Sequence, residues 1–236
     1  MRKVIIGLII LIMSFPILSV DMDIEIGFVT TYVWRGFTLY DKNVFAIQPS
    51  LTYYFGKSGL SLNLWSSYAL KDRDLYKQNE EIDMTLRYDF RPFNGVEVGV
   101  GFTNYGYYYI NNYSFKDGNT QEFFLITTFP YLIFCPTVSM YYDINLGNGL
   151  YFSLSGNYSV ELNRSLSLDI GMSIGYNSGQ WVDSHGLSDA NLTIGLPLNY
   201  NNFSITPYVA YTHVFLEPVS PDNLDKFWAG FSISLN

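Results

Sequence analysis

The sequence has a single cysteine, Cys135, and few charged residues, which make up 14% of its 236 residues. One cysteine excludes an internal disulfide, so an exported domain of this size needs another source of stability. Lysine and arginine number 13 against 21 aspartate and glutamate residues. Because phosphate backbones attract basic proteins, a chain this acidic is not expected to bind nucleic acid.

Beyond its N-terminus, the sequence also has no apolar run that suits a membrane-spanning helix. The longest, residues 123–135, is too short and is interrupted by two threonines and Pro130. Residues 1–20 predict a secretory signal peptide, since Arg2 and Lys3 precede an apolar core; the alternative is an uncleaved anchor helix. We therefore expect residues 21–236 to form the mature domain.

What the sequence does contain is alternation of apolar and polar residues. In residues 165–176 the apolar side chains occupy one parity, and Ser, Gly and Asp occupy the other. Side chains alternate across a strand, so one face meets an apolar environment and the other meets water. The polar parity of residues 81–89 carries Glu, Asp and Arg, and unpaired buried charge is costly in a soluble core. This favours a membrane barrel with a polar lumen over a soluble sandwich.

About twelve segments have strand character, each near the length that a tilted strand needs to cross a bilayer. They are residues 23–35, 44–55, 59–70, 80–90, 95–106, 119–129, 136–145, 149–160, 164–177, 187–199, 202–215 and 225–236. Short and long connections alternate, except at the tight turn of residues 144–149. Short turns at one end and long loops at the other are typical of outer-membrane barrels. The predicted fold is all-β, a transmembrane antiparallel up-and-down β-barrel of about 12 strands.

Aromatic residues form 18% of the chain and fall near both ends of these strands. Two aromatic girdles are expected where a barrel meets the two headgroup layers. The predicted loop-side girdle contains Tyr32, Trp34, Tyr68, Tyr107, Tyr176, Tyr211 and Phe227. The predicted turn-side girdle contains Tyr53, Phe55, Tyr88, Phe90, Phe129, Tyr158 and Phe203.

The stretch TTYVWRGFTLYD, residues 30–41, resembles the opening of the TorF-type family of outer-membrane porins. Tyr32, Trp34, Arg35 and Gly36 match its pattern of two aromatics followed by Arg-Gly, and further similarity covers most of the mature chain. The resemblance implies an exported bacterial barrel with a channel role and an unassigned substrate. Barrels of this class usually end on an aromatic residue, whereas this chain ends FSISLN; either Phe231 and Leu235 suffice for the assembly machinery, or the chain is a residue short.

Twelve tilted strands give a barrel about 26 Å across, which predicts a narrow pore. Acids outnumber bases among the candidate pore-lining residues, so we expect passive passage of small solutes, neutral or cationic. The alternative is a salt-bridged plug. For Arg35 and Gly36, a bend with Arg35 paired to an acid is favoured over an arginine at the pore mouth. The candidate pore-lining residues are Glu25, Arg35, Glu81, Asp83, Arg87, Asp89, Glu97, Asp143, Asp169, Asp189 and Lys226.

Two other functions remain open. If Leu198 pairs with Phe203, Ser188 lies opposite His213 near the loop-side rim with Asp225 diagonally near, which is the composition of a lipid hydrolase site. A one-residue slip destroys this arrangement, so the primary prediction is a protein that is not an enzyme. A plugged structural or adhesive barrel would instead bind partners through its loops, above all residues 106–115.

No residue pattern predicts a cofactor or a metal site, and His185 has no ligand partner at a suitable spacing. The expected partners are outer-membrane lipid, the barrel assembly machinery and small solutes. The expected location is the bacterial outer membrane.

Overall fold

The computed structural model describes residues 21–40, 44–76, 79–107, 118–220 and 225–235. The predicted signal peptide, residues 1–20, lies outside the described residues. Strands dominate the fold, with a short helix α1 at Arg73–Tyr76 and a 3₁₀ turn at Glu217–Val219. The strands are β1 Met22–Val29, β2 Val33–Trp34, β3 Phe37–Thr38, β4 Ala46–Tyr54, β5 Leu60–Ala69, β6 Glu81–Phe93, β7 Val96–Tyr107, β8 Asn119–Thr128, β9 Thr137–Asp143, β10 Gly149–Asn163, β11 Leu166–Ser178, β12 His185–Gly195, β13 Leu198–Tyr200, β14 Phe203–Val214 and β15 Asp225–Leu235.

The strands form a closed 12-strand antiparallel up-and-down barrel, as the sequence predicts. Each strand pairs with its neighbours in the chain, and β1 closes the ring against β15 from Ile24↔Leu235 to Val29↔Gly230. β12 and β13 are two parts of one barrel strand, interrupted at residues 196–197. β2 and β3 form a separate small hairpin. Within the described strands, closure leaves no sheet edge around the wall, so their backbone polar groups are paired between strands.

The two parities of the strands face opposite environments. On β11, Met172, Ile174 and Tyr176 are exposed on the outer surface, whereas Gly175 and Asn177 are buried inside. The same alternation of outward apolar and inward polar side chains continues around the barrel, where many large apolar side chains are exposed. An apolar exterior around a polar interior is the arrangement of a membrane-spanning barrel. Among the described residues, none of the helices has the length and hydrophobicity to span a bilayer.

Exposed aromatic side chains lie near both strand ends. At the turn side the exposed members of the predicted girdle are Tyr53, Phe55, Tyr88, Phe90, Tyr158 and Phe203. At the loop side Tyr176, Tyr211 and Phe227 are exposed.

Three residues of the predicted loop-side girdle were wrongly assigned. Tyr32 is buried, and Trp34 and Tyr107 contact other aromatic rings inside the barrel. Tyr32 and Trp34 face inward because the chain leaves the wall after β1, which ends at Val29 instead of continuing to residue 35.

The predicted register between β12/β13 and β14 was wrong by two residues. Tyr200 pairs with Phe203 and Leu198 with Ile205, so the turn consists of only Asn201 and Asn202. Asn201 adopts a positive φ of 52°, which asparagine tolerates and which allows this tight connection. His213 consequently lies opposite Ala190.

Candidate functional site

Residues 30–40, here called the inner hairpin, fold into the loop-side half of the lumen. They connect β1 to the segment before β4 and contain β2 and β3, which pair through Val33↔Thr38 and Trp34↔Phe37. The Leu39 amide donates to the Tyr32 carbonyl at 3.0 Å and closes the hairpin. The hairpin therefore brings the Arg-Gly pair of the sequence to the middle of the barrel.

Arg35 is the central side chain of the inner hairpin. Its guanidinium donates to both carboxylate oxygens of Glu122 on β8, with Nη2 at 2.8 Å from Oε1, and to Gln180 at 2.6 Å. The guanidinium also lies over the rings of Tyr141 and Tyr151, 4.1 and 4.8 Å from their centroids. Bidentate pairing and stacking together suit the planar guanidinium and fix its orientation.

Gly36 lets the hairpin pack closely against β12 and the 3₁₀ turn. It has a φ of +84°, and a Cβ at this position would lie 3.0 Å from Val219 Cγ1 and 3.1 Å from Asp189 Cβ. Both the conformation and the close packing favour glycine. The sequence interpretation of a glycine-permitted bend with Arg35 paired to an acid agrees with this arrangement.

Other residues of the inner hairpin tie it to the wall. The Tyr32 hydroxyl donates to Glu81 at 2.6 Å, and its ring lies 5.6 Å from that of Trp65. The Trp34 ring lies 6.0 Å from that of Tyr105. The hairpin thus contacts wall strands on several sides of the lumen and narrows its loop-side half.

The predicted pore-lining residues fall into two groups along the barrel axis. In the loop-side half, Glu81, Asp83, Asp189, Arg35 and Lys226 are near or at full burial. The Asp189 carboxylate accepts from Tyr151 at 3.0 Å, and Lys226 Nζ donates to Ser220 at 3.0 Å. Asp83 Oδ1 is buried and has no hydrogen-bond partner among the described residues. Acidic residues therefore outnumber basic residues among these buried side chains in the loop-side half of the lumen.

Asp143 is also buried but organises a turn. Its carboxylate accepts from the Thr120 hydroxyl at 2.7 Å and from the amides of Asn145, Gly147 and Asn148. These bonds explain why residues 144–149 form a tight turn where the alternation of connections predicts a long loop. The carboxylate satisfies donors that the turn would otherwise leave unpaired.

The remaining predicted residues lie on the lumen-facing parity of the turn-side half. Glu25 lines a cavity of about 200 Å³ and accepts from Ser234 at 3.1 Å. Asp169 accepts from Ser159 at 2.6 Å. Glu97 pairs with Arg91 near the turn-side end of the wall.

Arg87 and Asp89 border a larger cavity, here called the vestibule, of about 460 Å³. They form an ion pair with Arg87 Nη2 at 2.7 Å from Asp89 Oδ1. The inner end of the vestibule reaches Glu122, the partner of Arg35. The vestibule is lined by Thr52, Tyr54, Ser61, Asn63, Thr85, Arg87, Asp89, Thr103, Tyr105, Glu122, Phe124, Ile126 and Tyr141.

Sequence reasoning missed Glu122, the acid that holds Arg35. The predicted strand of residues 119–129 contains it, and it shares the inward parity of Thr120 and Phe124, both buried. This inward face mixes polar and apolar side chains, so the alternation there is weak. Strict counting of parity from the apolar Phe123 and Leu125 would have placed Glu122 on the lumen face, without identifying Arg35 as its partner.

Two of the three predicted hydrolase residues come together, and the third, Ser188, does not join them. His213 and Asp225 lie on the outer face and pair, with His213 Nδ1 at 2.6 Å from Asp225 Oδ1. Ser188, however, is fully buried and its hydroxyl donates to the Arg35 carbonyl at 3.5 Å. A register irregularity between β11 and β12 accompanies this inward orientation. Ser188 and His213 therefore lie on different faces of the wall, and the predicted pair between these two residues does not form.

Comparison with known proteins supports the fold. The sequence matches no protein-family profile and no curated protein. Among solved structures it is similar to the KdgM porin, with 12% identity, a TM-score of 0.54, and coverage of 91% of this chain and 98% of that one. It is similar to the NanC porin, with 11% identity, a TM-score of 0.56, and coverage of 92% and 100%. It also resembles LpxR from Salmonella typhimurium, with 9% identity, a TM-score of 0.53, and coverage of 90% and 99%.

The fold and the apolar exterior define the class: this chain is a membrane-spanning β-barrel with the fold of outer-membrane porins. That fold supports the predicted location in the bacterial outer membrane. Similarity to solved structures at 9–12% identity shows the fold alone. The function of this barrel must therefore be argued from its own lumen.

Proposed function

We propose that this chain is a porin-type channel that passes small solutes passively and carries out no catalysis. The observation that supports this most is the polar vestibule, which runs through the turn-side half of the lumen to the inner hairpin. Threonine, serine and asparagine side chains line much of it. A polar lumen of this kind supports passage of hydrated solutes, whereas a structural barrel of this size can fill its interior with side chains.

We also propose that the channel favours neutral solutes and cations over anions. The buried cation Arg35 is compensated by Glu122. In the same half of the lumen acidic side chains outnumber the one further base, Lys226; they are Glu81, Asp83 and Asp189. An acidic constriction lowers the local concentration of anions and raises that of cations.

The inner hairpin supports a second candidate, a plugged structural or adhesive barrel. Arg35 and Tyr32 fasten the hairpin to Glu122 and Glu81, which lie on different wall strands. The loop expected to make adhesive contacts, residues 106–115, lies mostly outside the described residues. In the channel proposal the hairpin moves, whereas in the second candidate it stays in place.

Planar-bilayer recording of the refolded protein tests the proposal. We expect brief openings for the wild type and a higher open fraction for Arg35→Ala, which removes the bonds to Glu122 and Gln180. A salt gradient should give a reversal potential of the sign for cation preference. Arg91→Ala is the matched control, because Arg91 is exposed at the turn side and should leave the open fraction unchanged.

Two results would contradict the channel. If neither the wild type nor Arg35→Ala conducts at any voltage, the plugged barrel replaces it. If the reversal potential shows anion preference, the charge assignment of the lumen is wrong even though a channel exists.

The proposal extends to family and partners. We propose that the chain is a TorF-type porin, on the residues of the inner hairpin that carry the resemblance. In this role the chain is exported with removal of residues 1–20 and is inserted by the barrel assembly machinery. Outer-membrane lipid then surrounds its apolar exterior.

A further inference from the structure

The vestibule has two chemically different walls. One wall, from β4 to β7, presents uncharged hydrogen-bonding groups, among them Asn63, Thr85 and Thr103. The adjoining wall, on β8 and β9, presents Phe124, Ile126 and Tyr141. A cavity of about 460 Å³ is within the range of about 300–1,000 Å³ in which proteins bind small molecules.

The polar wall is ordered by its own hydrogen bonds. Asn63 Nδ2 donates to Ser50 at 2.8 Å and to Thr52 at 2.9 Å, which fixes the amide plane. The hydroxyls of Thr85 and Thr103 are 2.9 Å apart. Hydroxyl and amide groups held in this way keep further donor and acceptor capacity for a ligand.

The aromatic wall depends on a glycine. A Cβ at Gly101 would lie 2.2 Å from Phe124 Cζ, so the Phe124 ring can cross the inner face of β7 only because residue 101 has no side chain. Phe124 then lies 6.3 Å from the Tyr141 ring, measured between centroids. An aromatic platform in a polar lumen offers an apolar surface to a ligand that also forms hydrogen bonds.

The charged side chains of the vestibule are already paired. Arg87 bonds Asp89 through Nε and Nη2, and Glu122 bonds Arg35 at both oxygens. A charged ligand would have to compete with these ion pairs, whereas an uncharged ligand would leave them intact.

We propose that the vestibule binds a neutral polyhydroxylated solute of monosaccharide size, with its hydroxyls on the β4–β7 wall and a carbon face against Phe124. This inference rests on the proposed channel function and names the class of solute that the same lumen accepts. Hydroxyl groups match the donors and acceptors of the polar wall, and ring C–H groups match the aromatic platform.

Binding to the full-length barrel tests the inference without requiring passage. The protein is refolded in a detergent without a sugar headgroup, and methyl glucoside, glucosamine and glucuronate are compared by titration calorimetry and saturation-transfer NMR. We expect methyl glucoside to bind at least about fivefold more tightly than either charged analogue. A charged group competes with the existing ion pairs, and each hydrogen bond lost in this way weakens binding by about that factor.

Two variants examine the two walls. Asn63→Leu removes an amide from the polar wall, and Phe124→Leu removes the ring but keeps an apolar side chain. Each should weaken methyl glucoside binding about fivefold. Ser173→Ala is the matched control, since Ser173 faces the lumen and bonds Asn191 outside the vestibule. Heat-modifiable gel migration confirms that each variant is folded.

Equal or tighter binding of a charged analogue overturns the inference, as does absence of methyl glucoside binding to the folded wild type. So does unchanged binding by both wall variants. These failures are distinguishable from failure of the channel: lost binding with normal conductance removes only the inference, and binding without conductance removes only the channel.

Discussion

At the scale of single residues, the buried pair of Arg35 and Glu122 is the arrangement with the largest predicted energetic effect. Their side chains are 9% and 1% exposed, so solvent screens the pair little. Such a pair often adds no stability over a well-packed apolar replacement, but loss of one partner leaves a buried charge uncompensated. The pair therefore specifies one position of the inner hairpin more than it adds stability to the barrel.

We predict that Glu122→Gln lowers the free energy of unfolding by about 3 kcal/mol, because Arg35 stays buried without a counter-charge. Urea unfolding of the protein in lipid vesicles measures the change. Glu97→Gln, which disrupts the exposed pair with Arg91, should change stability by less than about 1 kcal/mol. Equal effects of the two substitutions would show that the Arg35 pair is screened by water.

Gly36 supports a second prediction. We expect Gly36→Ala to destabilise the inner hairpin by about 1–3 kcal/mol, since the new Cβ combines a positive φ with close contacts to Val219 and Asp189. Gly56→Ala is the control, as Gly56 shares a positive φ of +58° but has open space around its Cβ position. Equal stability losses would show that the backbone angle alone matters.

The sequence predicted the residue-level site in part. Arg35 next to a glycine indicated a bend and an ion pair, and that agrees with the structure. The identity of the partner, Glu122, depended on which strand the hairpin reaches across the lumen. Such a contact between residues 87 positions apart is set by the three-dimensional fold and has no local signal in the chain.

At the scale of elements, most strands follow their predicted ranges because alternation is strong and turns are short. β1 is the exception, since its aromatic continuation resembles strand but bends inward at residues 30–40. Register was less predictable: Asn201 and Asn202 make a two-residue turn, and a small change of turn length moves all the pairs of β14.

The turn after β9 gives a prediction at this scale. Asp143→Ala removes the acceptor for Thr120 and for three backbone amides, so hydrogen exchange of residues 144–149 should accelerate. Asp169→Ala removes an acceptor that bonds Ser159 and should leave that turn unchanged. If exchange in residues 144–149 stays at the wild-type rate in Asp143→Ala, the carboxylate does not organise the turn.

At the scale of the whole molecule, membrane embedding depends on the outer parity. Leu192 is 43% exposed on the outer face, and its neighbour Thr193 faces the lumen. We predict that Leu192→Arg destabilises the barrel by about 2–4 kcal/mol in lipid, because the charge meets hydrocarbon. Thr193→Arg should be tolerated and should shift ion selectivity instead. Unfolding from vesicles and reversal potentials measure the two effects, and the opposite ranking would mean that the faces are reversed.

The way in which the inner hairpin is attached also determines how the channel current changes when the hairpin moves. The hairpin lies between β1 and β4, which are adjacent wall strands, and it is fastened to other strands by two side chains, Arg35 to Glu122 and Tyr32 to Glu81. A segment attached along one side and fastened at the other moves as a unit once those fastenings break. Currents through this barrel should accordingly jump between two levels, and a continuous range of intermediate amplitudes is not expected.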